Sequence, residues 1–186
     1  MRILSEKLNK RIISESTKLF YDLGYEKTSM RTIAHKCRTS VGNLYRYYKK
    51  KEDIFLDVTK GVSEKLEEII TSFQNIKTTD LNDPHLLEAL NQFFTLATKQ
   101  RKVLVIYLEH YSRIEKDNLL TVFEEEVKKT IKHFVPSLND VFVTLSYKFL
   151  LVGIIHVLRT EKEEDIKARL EELFQFLFTD MKGRIR

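Results

Sequence analysis

The side chains best suited to chemistry in this chain crowd into residues 28–51, TSMRTIAHKCRTSVGNLYRYYKKK. The segment mixes hydroxyls, cations, one amide and three tyrosines, with no carboxylate among them. Hydroxyls, cations and helix N-termini are the groups that bind phosphate without reading sequence. Asn43 and Arg46 add base-edge chemistry, since Asn pairs bidentately with adenine and Arg with guanine. Val41 suits a thymine methyl, and Gly42 lets a backbone come close. Charge follows the same division. Residues 1–60 hold 14 Lys/Arg against 7 Asp/Glu, whereas residues 61–186 hold 18 against 20, within a chain of net charge +5. A basic first third on a slightly acidic remainder is the pattern of a polyanion-binding head on an ordinary body.

Other chemistries find little support. His35 and Cys37 lie two apart, so on a helix they diverge and cannot share a metal. His85, His110, His133 and His156 lack the spacing of a helical metal site, and neither a phosphate-cradling glycine loop nor a Gly-x-Ser-x-Gly elbow occurs. The sequence therefore predicts no catalytic residue, no metal and no cofactor. A single cysteine excludes an intramolecular disulfide, and Cys37 reads as a buried, inert thiol. The N-terminus lacks the apolar stretch of a secretory signal. The longest apolar run, Phe149–Leu158, falls short of the roughly 18 residues that cross a bilayer. The expected location is the cytoplasm, without membrane insertion.

The elements that position residues 28–51 follow from periodicity. With 5 Gly and 2 Pro in 186 residues, the chain has too little punctuation for a sandwich or barrel of short strands. Leu8, Ile12, Ser16, Leu19, Phe20 and Leu23 recur at spacings of three and four, which marks an amphipathic helix closed by Gly24. Thr28 and Ser29 offer caps for a short helix over about 30–37, and Ser40 caps another over about 41–47. Only Arg38, Thr39 and Ser40 join them. A long helix opens at Glu52/Asp53 and runs to about Ile76; KTTDLNDPH (77–85) is a connector. Further helices are expected at 85–99, 101–115, 118–135, 140–160 and 162–181. The fold class is all-α. Two short helices packed steeply across a three-residue turn form a helix-turn-helix, which presents its second helix to a major groove about 12 Å wide.

From Ile12 to about Phe55 the sequence resembles the tetracycline-repressor (TetR) family of bacterial transcriptional regulators. The residues carrying the likeness are Leu19–Phe20, the turn Gly24–Tyr25, TSMRTIA, S-x-G-N-L-Y, and K-x-D-I-F at Lys51–Phe55. The resemblance implies that Tyr45, Tyr47 and Lys51 contact phosphates, with Thr28, Ser29 and Arg31 where the preceding helix approaches the backbone. Two positions depart from the family pattern: Arg38 stands where glycine is usual, and Val41 where a polar or basic side chain is common. The first touches turn geometry, the second base contacts.

The expected organisation is a helix-turn-helix DNA-binding domain over 1–50 and a helical ligand-binding and dimerisation domain over 51–186. The expected function is a ligand-responsive regulator, a repressor that binds a palindromic operator in double-stranded DNA as a homodimer. The alternative is a helical carrier or sensor of small molecules whose basic head binds an acidic protein or a membrane surface. Residues 140–160 are apolar around much of a helix, so a self-complementary interface is the natural sink, with Gly153 allowing close approach there. The aromatic surplus of the body and the family resemblance together imply an apolar or amphipathic small-molecule effector. Tyr107, His110 and Tyr111 are the expected pocket residues.

Overall fold

The computed structural model describes residues 5–74, 82–114, 119–134 and 136–178, without the side chains of 111–114, 120 and 134. Nine helices and no strand occur among the described residues: α1 (Glu6–Leu23), α2 (Met30–Lys36), α3 (Val41–Leu44), α4 (Lys51–Gln74), α5 (Pro84–Lys99), α6 (Arg101–Ile114), α7 (Leu119–Phe134), α8 (Asp140–Thr160) and α9 (Ile166–Phe178). Local chemistry sets most of their ends. Ser5, Ser29, Ser40, Asp83 and Asn139 each cap a helix by accepting a backbone N–H from its first turn. Gly24 closes α1 at φ 83°, a backbone angle that other residues rarely adopt.

Two expected helices are shorter than their periodicity suggests. The third ends at Leu44 because Arg46 and Tyr47 donate to Asn43 and Leu44, three residues back, tightening 45–47 into a turn. The last begins at Ile166 rather than 162. Glu161 is extended, and Lys162 C=O takes the N–H groups of both Asp165 and Ile166, which makes 163–165 a turn before the helix starts.

Apolar packing divides into two clusters that share helices. The first joins Ile12, Phe20, Tyr25, Ile33, Ala34, Cys37 and Leu44 of the first three helices and their turns to Ile54, Phe55 and Val58 of α4 and to Ile106 of α6. The second is the body core, running from Val62, Leu66 and Ile69 of α4 through α5, α6, α8 and α9. So the first two turns of α4 belong to the head core and the rest to the body core. The α8–α9 packing uses Gly153, whose absent Cβ would stand 2.9 Å from Leu173 Cδ2. Its close approach is therefore to α9 of the same chain, which corrects the expectation that it serves a partner.

The α2–α3 turn keeps glycine-like geometry without glycine. Arg38 adopts φ 50°, its N–H donates to His35 C=O, and Thr39 N–H reaches back to Ala34 C=O. These two bonds make a Schellman close of α2 with Arg38 at the left-handed position. A side chain there costs about 1–2 kcal/mol. Replacing Arg38 with Gly is expected to raise stability by about 1 kcal/mol, after the extra chain entropy of glycine is discounted. Denaturant midpoints of the two proteins check this; an unchanged or lower midpoint would show that the guanidinium repays its backbone.

Candidate nucleic-acid interface

Neither α2, at 7 residues, nor α3, at 4, is long enough to persist alone. What holds them is the cluster beneath. Phe20, Tyr25 and Phe55 form a ring triangle with centroids 5.4, 6.1 and 5.3 Å apart, and Ile33, Ala34 and Leu44 are buried beside it. Polar ties fix the outer edges. The Tyr48 hydroxyl joins Asn9 of α1 to Asp57 of α4; burial, then the Asp57 carboxylate, pushes its ionisation up. Arg11 Nη1 donates to Cys37 C=O at 3.3 Å, which anchors the end of α2 to α1. The Cys37 thiol is fully buried, and that burial raises its ionisation, so it is a packing residue at neutral pH.

The ten positions expected to face DNA fall into three groups. Ser29, Arg31, Gly42, Tyr45 and Arg46 are exposed, on α2, α3, the cap of α2 and the turn after α3. Val41, Asn43, Tyr47 and Lys51 are half-buried, and three of these are held by partners within the chain. Asn43 Nδ2 donates to Thr39 Oγ1 at 2.9 Å, which orients the amide. The Tyr47 hydroxyl accepts the Ser5 N–H at 2.7 Å and so tethers the start of α1. Lys51 Nζ donates to Tyr25 C=O at 2.7 Å and stands 3.9 Å over the Tyr25 ring. Thr28 differs from the rest. It is buried, and its hydroxyl turns inward to Gly24 C=O at 2.9 Å and Leu19 C=O at 3.3 Å. The cap of α2 is Ser29, not Thr28.

The body holds a cavity of about 610 Å³ between α4, α5, α7, α8 and α9. Its walls are apolar, with Phe93, Phe94, Phe123 and Phe174 prominent, while Asn91, Lys167 and Glu171 stand at its exposed side. The pocket residues expected from sequence are placed elsewhere. Tyr107 is fully buried in the body core, and His110 lies against Tyr25 at the head, ring centroids 6.0 Å apart. Neither lines the cavity. Tyr111 is on α6, its side chain outside the described residues. The physical reason is position: α6 runs through the middle of the molecule, packed on α1, α4, α5, α7 and α8, so its aromatic face is core. The i, i+4, i+7 row Phe123, Val127, Thr130 of α7 does line the cavity. Such a row is legible in sequence, but it does not distinguish a wall from solid core.

A three-helix head with a tight turn between its second and third helices, on an all-α body, defines a helix-turn-helix protein. Residues 12–58 match the family described as "Bacterial regulatory proteins, tetR family". The chain is 37% identical over 67 residues to the HTH-type transcriptional regulator HbdR of Aromatoleum sp. (strain CIB), covering 36% of this chain and 29% of HbdR. A longer likeness, 23% identical over 146 residues, is to the fatty acid metabolism regulator protein of Bacillus subtilis (strain 168), covering 78% of this chain and 64% of that one. The whole fold is similar to a TetR-family transcriptional regulator from Bordetella parapertussis 12822, with TM-score 0.69, 18% identity, and 94% and 96% of the two chains covered. It is also similar to AibR in complex with isovaleryl coenzyme A and operator DNA, with TM-score 0.59, 20% identity, and 92% and 98% covered.

Because Lys51 is engaged with Tyr25, its removal reaches the fold. Lys51→Ala is expected to lower stability by about 1–2 kcal/mol, through loss of the hydrogen bond and the cation–ring contact. Arg31→Ala, at an exposed site, is expected to leave the melting temperature unchanged. Thermal melts of both variants test this; equal melting for Lys51→Ala and the parent would show that the contact with Tyr25 adds nothing.

Proposed function

We propose that the protein is a ligand-responsive, DNA-binding transcriptional regulator, a repressor that binds a palindromic operator as a homodimer. The observation that carries the reading is the head: a tetR-family helix-turn-helix whose exposed surface bears Ser29, Arg31, Tyr45 and Arg46, on a basic segment. Arg46 and Asn43 read base edges, and Val41 and Gly42 allow the close approach. Ser29, Arg31, Tyr45 and Tyr47 position the phosphates, with Lys51 contributing charge from behind Tyr25. Thr28 acts through the turn it holds. Residues 1–50 serve as the DNA-binding domain and 51–186 as the ligand-binding and dimerisation domain. The role is non-catalytic and the place of action is the cytoplasm.

The dimer surface is the outer face of α8. Val141, Phe142, Leu145, Phe149 and Val152 are all more than half exposed and recur at helical spacing on one face, and Phe176 of α9 extends it, 6.2 Å from Phe149 between ring centroids. An 18-residue stretch of α8 reaches a mean hydropathy of 2.0, so by length and composition alone this helix is apolar enough to cross a membrane. Its opposite face, Val143, Tyr147, Leu150, Ile154 and Leu158, is buried in the chain. A second copy of α8 and α9 covers the open face without leaving water.

The effector is an apolar or amphipathic small molecule held in the cavity of α4, α5, α7, α8 and α9, whose size and apolar walls suit such a guest. Tyr107 reaches this cavity only through the body core, and His110 stands at the head. Two relatives are named for acyl chemistry, one as a fatty acid metabolism regulator and one solved with isovaleryl coenzyme A, which favours acyl compounds as the first effectors to try.

Selection of preferred sites from random duplex DNA tests the reading. The expected product is one palindrome, bound at least about a thousandfold more tightly than scrambled duplex of equal length. Affinity that depends only on salt and length would contradict it and favour a charge-only binder. Light scattering is expected to give a dimer for the parent and a folded monomer for Phe149→Glu; a parent monomer would remove the dimer.

A further inference from the structure

The guanidinium of Arg159 ties the head to α8. Arg159, in the last turn of α8, pairs in fork geometry with Glu109 of α6: Nε to Oε1 at 2.7 Å and Nη2 to Oε2 at 2.7 Å. The same guanidinium donates from Nη1 and Nη2 to the backbone C=O of Tyr21 in α1, at 3.3 and 3.4 Å. Its Cζ also stands 4.9 Å over the Tyr21 ring. Three helices thus meet on one side chain, and α6 is further fixed there because Arg101 donates to Leu158 C=O.

The chemistry explains why a cation belongs at this point. The last carbonyls of a helix lack intrahelical donors and carry the negative end of its dipole. Gly24 N–H satisfies Phe20 C=O, but the last turn of α1 has no basic residue of its own. Arg159 supplies that missing cation from another helix. A bidentate carboxylate pair fixes the plane of the guanidinium, so the contact has direction as well as charge. Arg159 also lies seven residues beyond Val152 on α8, close to the same face as the exposed apolar stripe. The helix that carries the dimer surface therefore ends in the group that caps the head.

We propose that Arg159, oriented by Glu109, is a positioning residue that locks α1 to the dimer-forming helix and so sets the separation of the two heads. This rests on the dimeric, DNA-binding reading above. A helix of 18 residues spans about 27 Å, so angular freedom at the Tyr21 end becomes displacement at the other end. Two heads fit two half-sites only at the matching separation, about 34–36 Å or a multiple of it. Loss of the lock therefore affects spacing before it affects the affinity of either head.

The test uses the full-length dimer. A spin label on Lys7→Cys, at an exposed position near the start of α1, reports head-to-head distance, since the native Cys37 is buried. The parent is expected to give one narrow distribution, Arg159→Ala a broad one, and Arg159→Lys, which keeps the charge and loses the fork, an intermediate one. On the selected palindrome with its spacer changed by about two base pairs, Arg159→Ala is expected to lose about tenfold of the parent's discrimination between spacings, with binding to a single half-site unchanged. If Arg159→Ala does not fold, Glu109→Gln carries the same comparison, because it removes only the charge partner. A folded variant with the parent's distance distribution and spacing preference overturns the lock. Failure of the underlying reading looks different: the parent itself is then a monomer, or selects no duplex, and the lock falls with it.

Discussion

The head depends on a triangle of aromatic rings that it does not own outright. Phe20 and Tyr25 come from α1 and the turn after it, but Phe55 belongs to α4, the helix that continues into the body core. Helices of seven and four residues have no stability to spare, so their orientation is set by what lies under them. Ile106, from the middle of α6, fills the same core. The proposed DNA-binding surface is thus built partly on side chains supplied by the body. The two clusters share α4 and α6, so a shift of either helix is felt beneath α2 and α3.

Polar contacts repeat this arrangement at the rim. Lys51 reaches back to Tyr25, Tyr48 spans α1 and α4, and Arg159 closes the end of α1 from α8. Each uses a side chain of one element to satisfy a group of another, in two of the three a backbone carbonyl. Such bonds contribute little singly, but each specifies a direction that apolar packing leaves open. Several residues chosen for their phosphate chemistry also make such contacts within the chain. Tyr47 holds Ser5, Lys51 holds Tyr25, and Thr28 holds the turn at Gly24.

Much of the fold is legible in sequence because it is written in local signals. The spacing of Leu8, Ile12, Ser16 and Leu19, the serine caps at Ser29 and Ser40, and Gly24 after α1 locate the head helices before any packing is known. What sequence misses is non-local. The glycine preference at the α2–α3 turn is real, yet Arg38 takes the left-handed angle because the bonds of Arg38 and Thr39 to α2 hold it there. Gly153 marks a close approach, but only packing shows that Leu173 of the same chain fills it. The aromatic content of the body indicates a core. Whether Tyr107 or Phe123 faces a cavity depends on which helix occupies the centre, and α6 does.

The central claim is that one surface, spanning residues 28–51, reads duplex DNA while the body holds it in place. Hydrogen exchange of the full-length protein, with and without its selected palindromic duplex, tests this most directly. The account predicts added protection in α2, α3 and the turn after α3, with the amides around the body cavity little changed. Protection confined to the body, or none in residues 28–51 at saturating duplex, would contradict it.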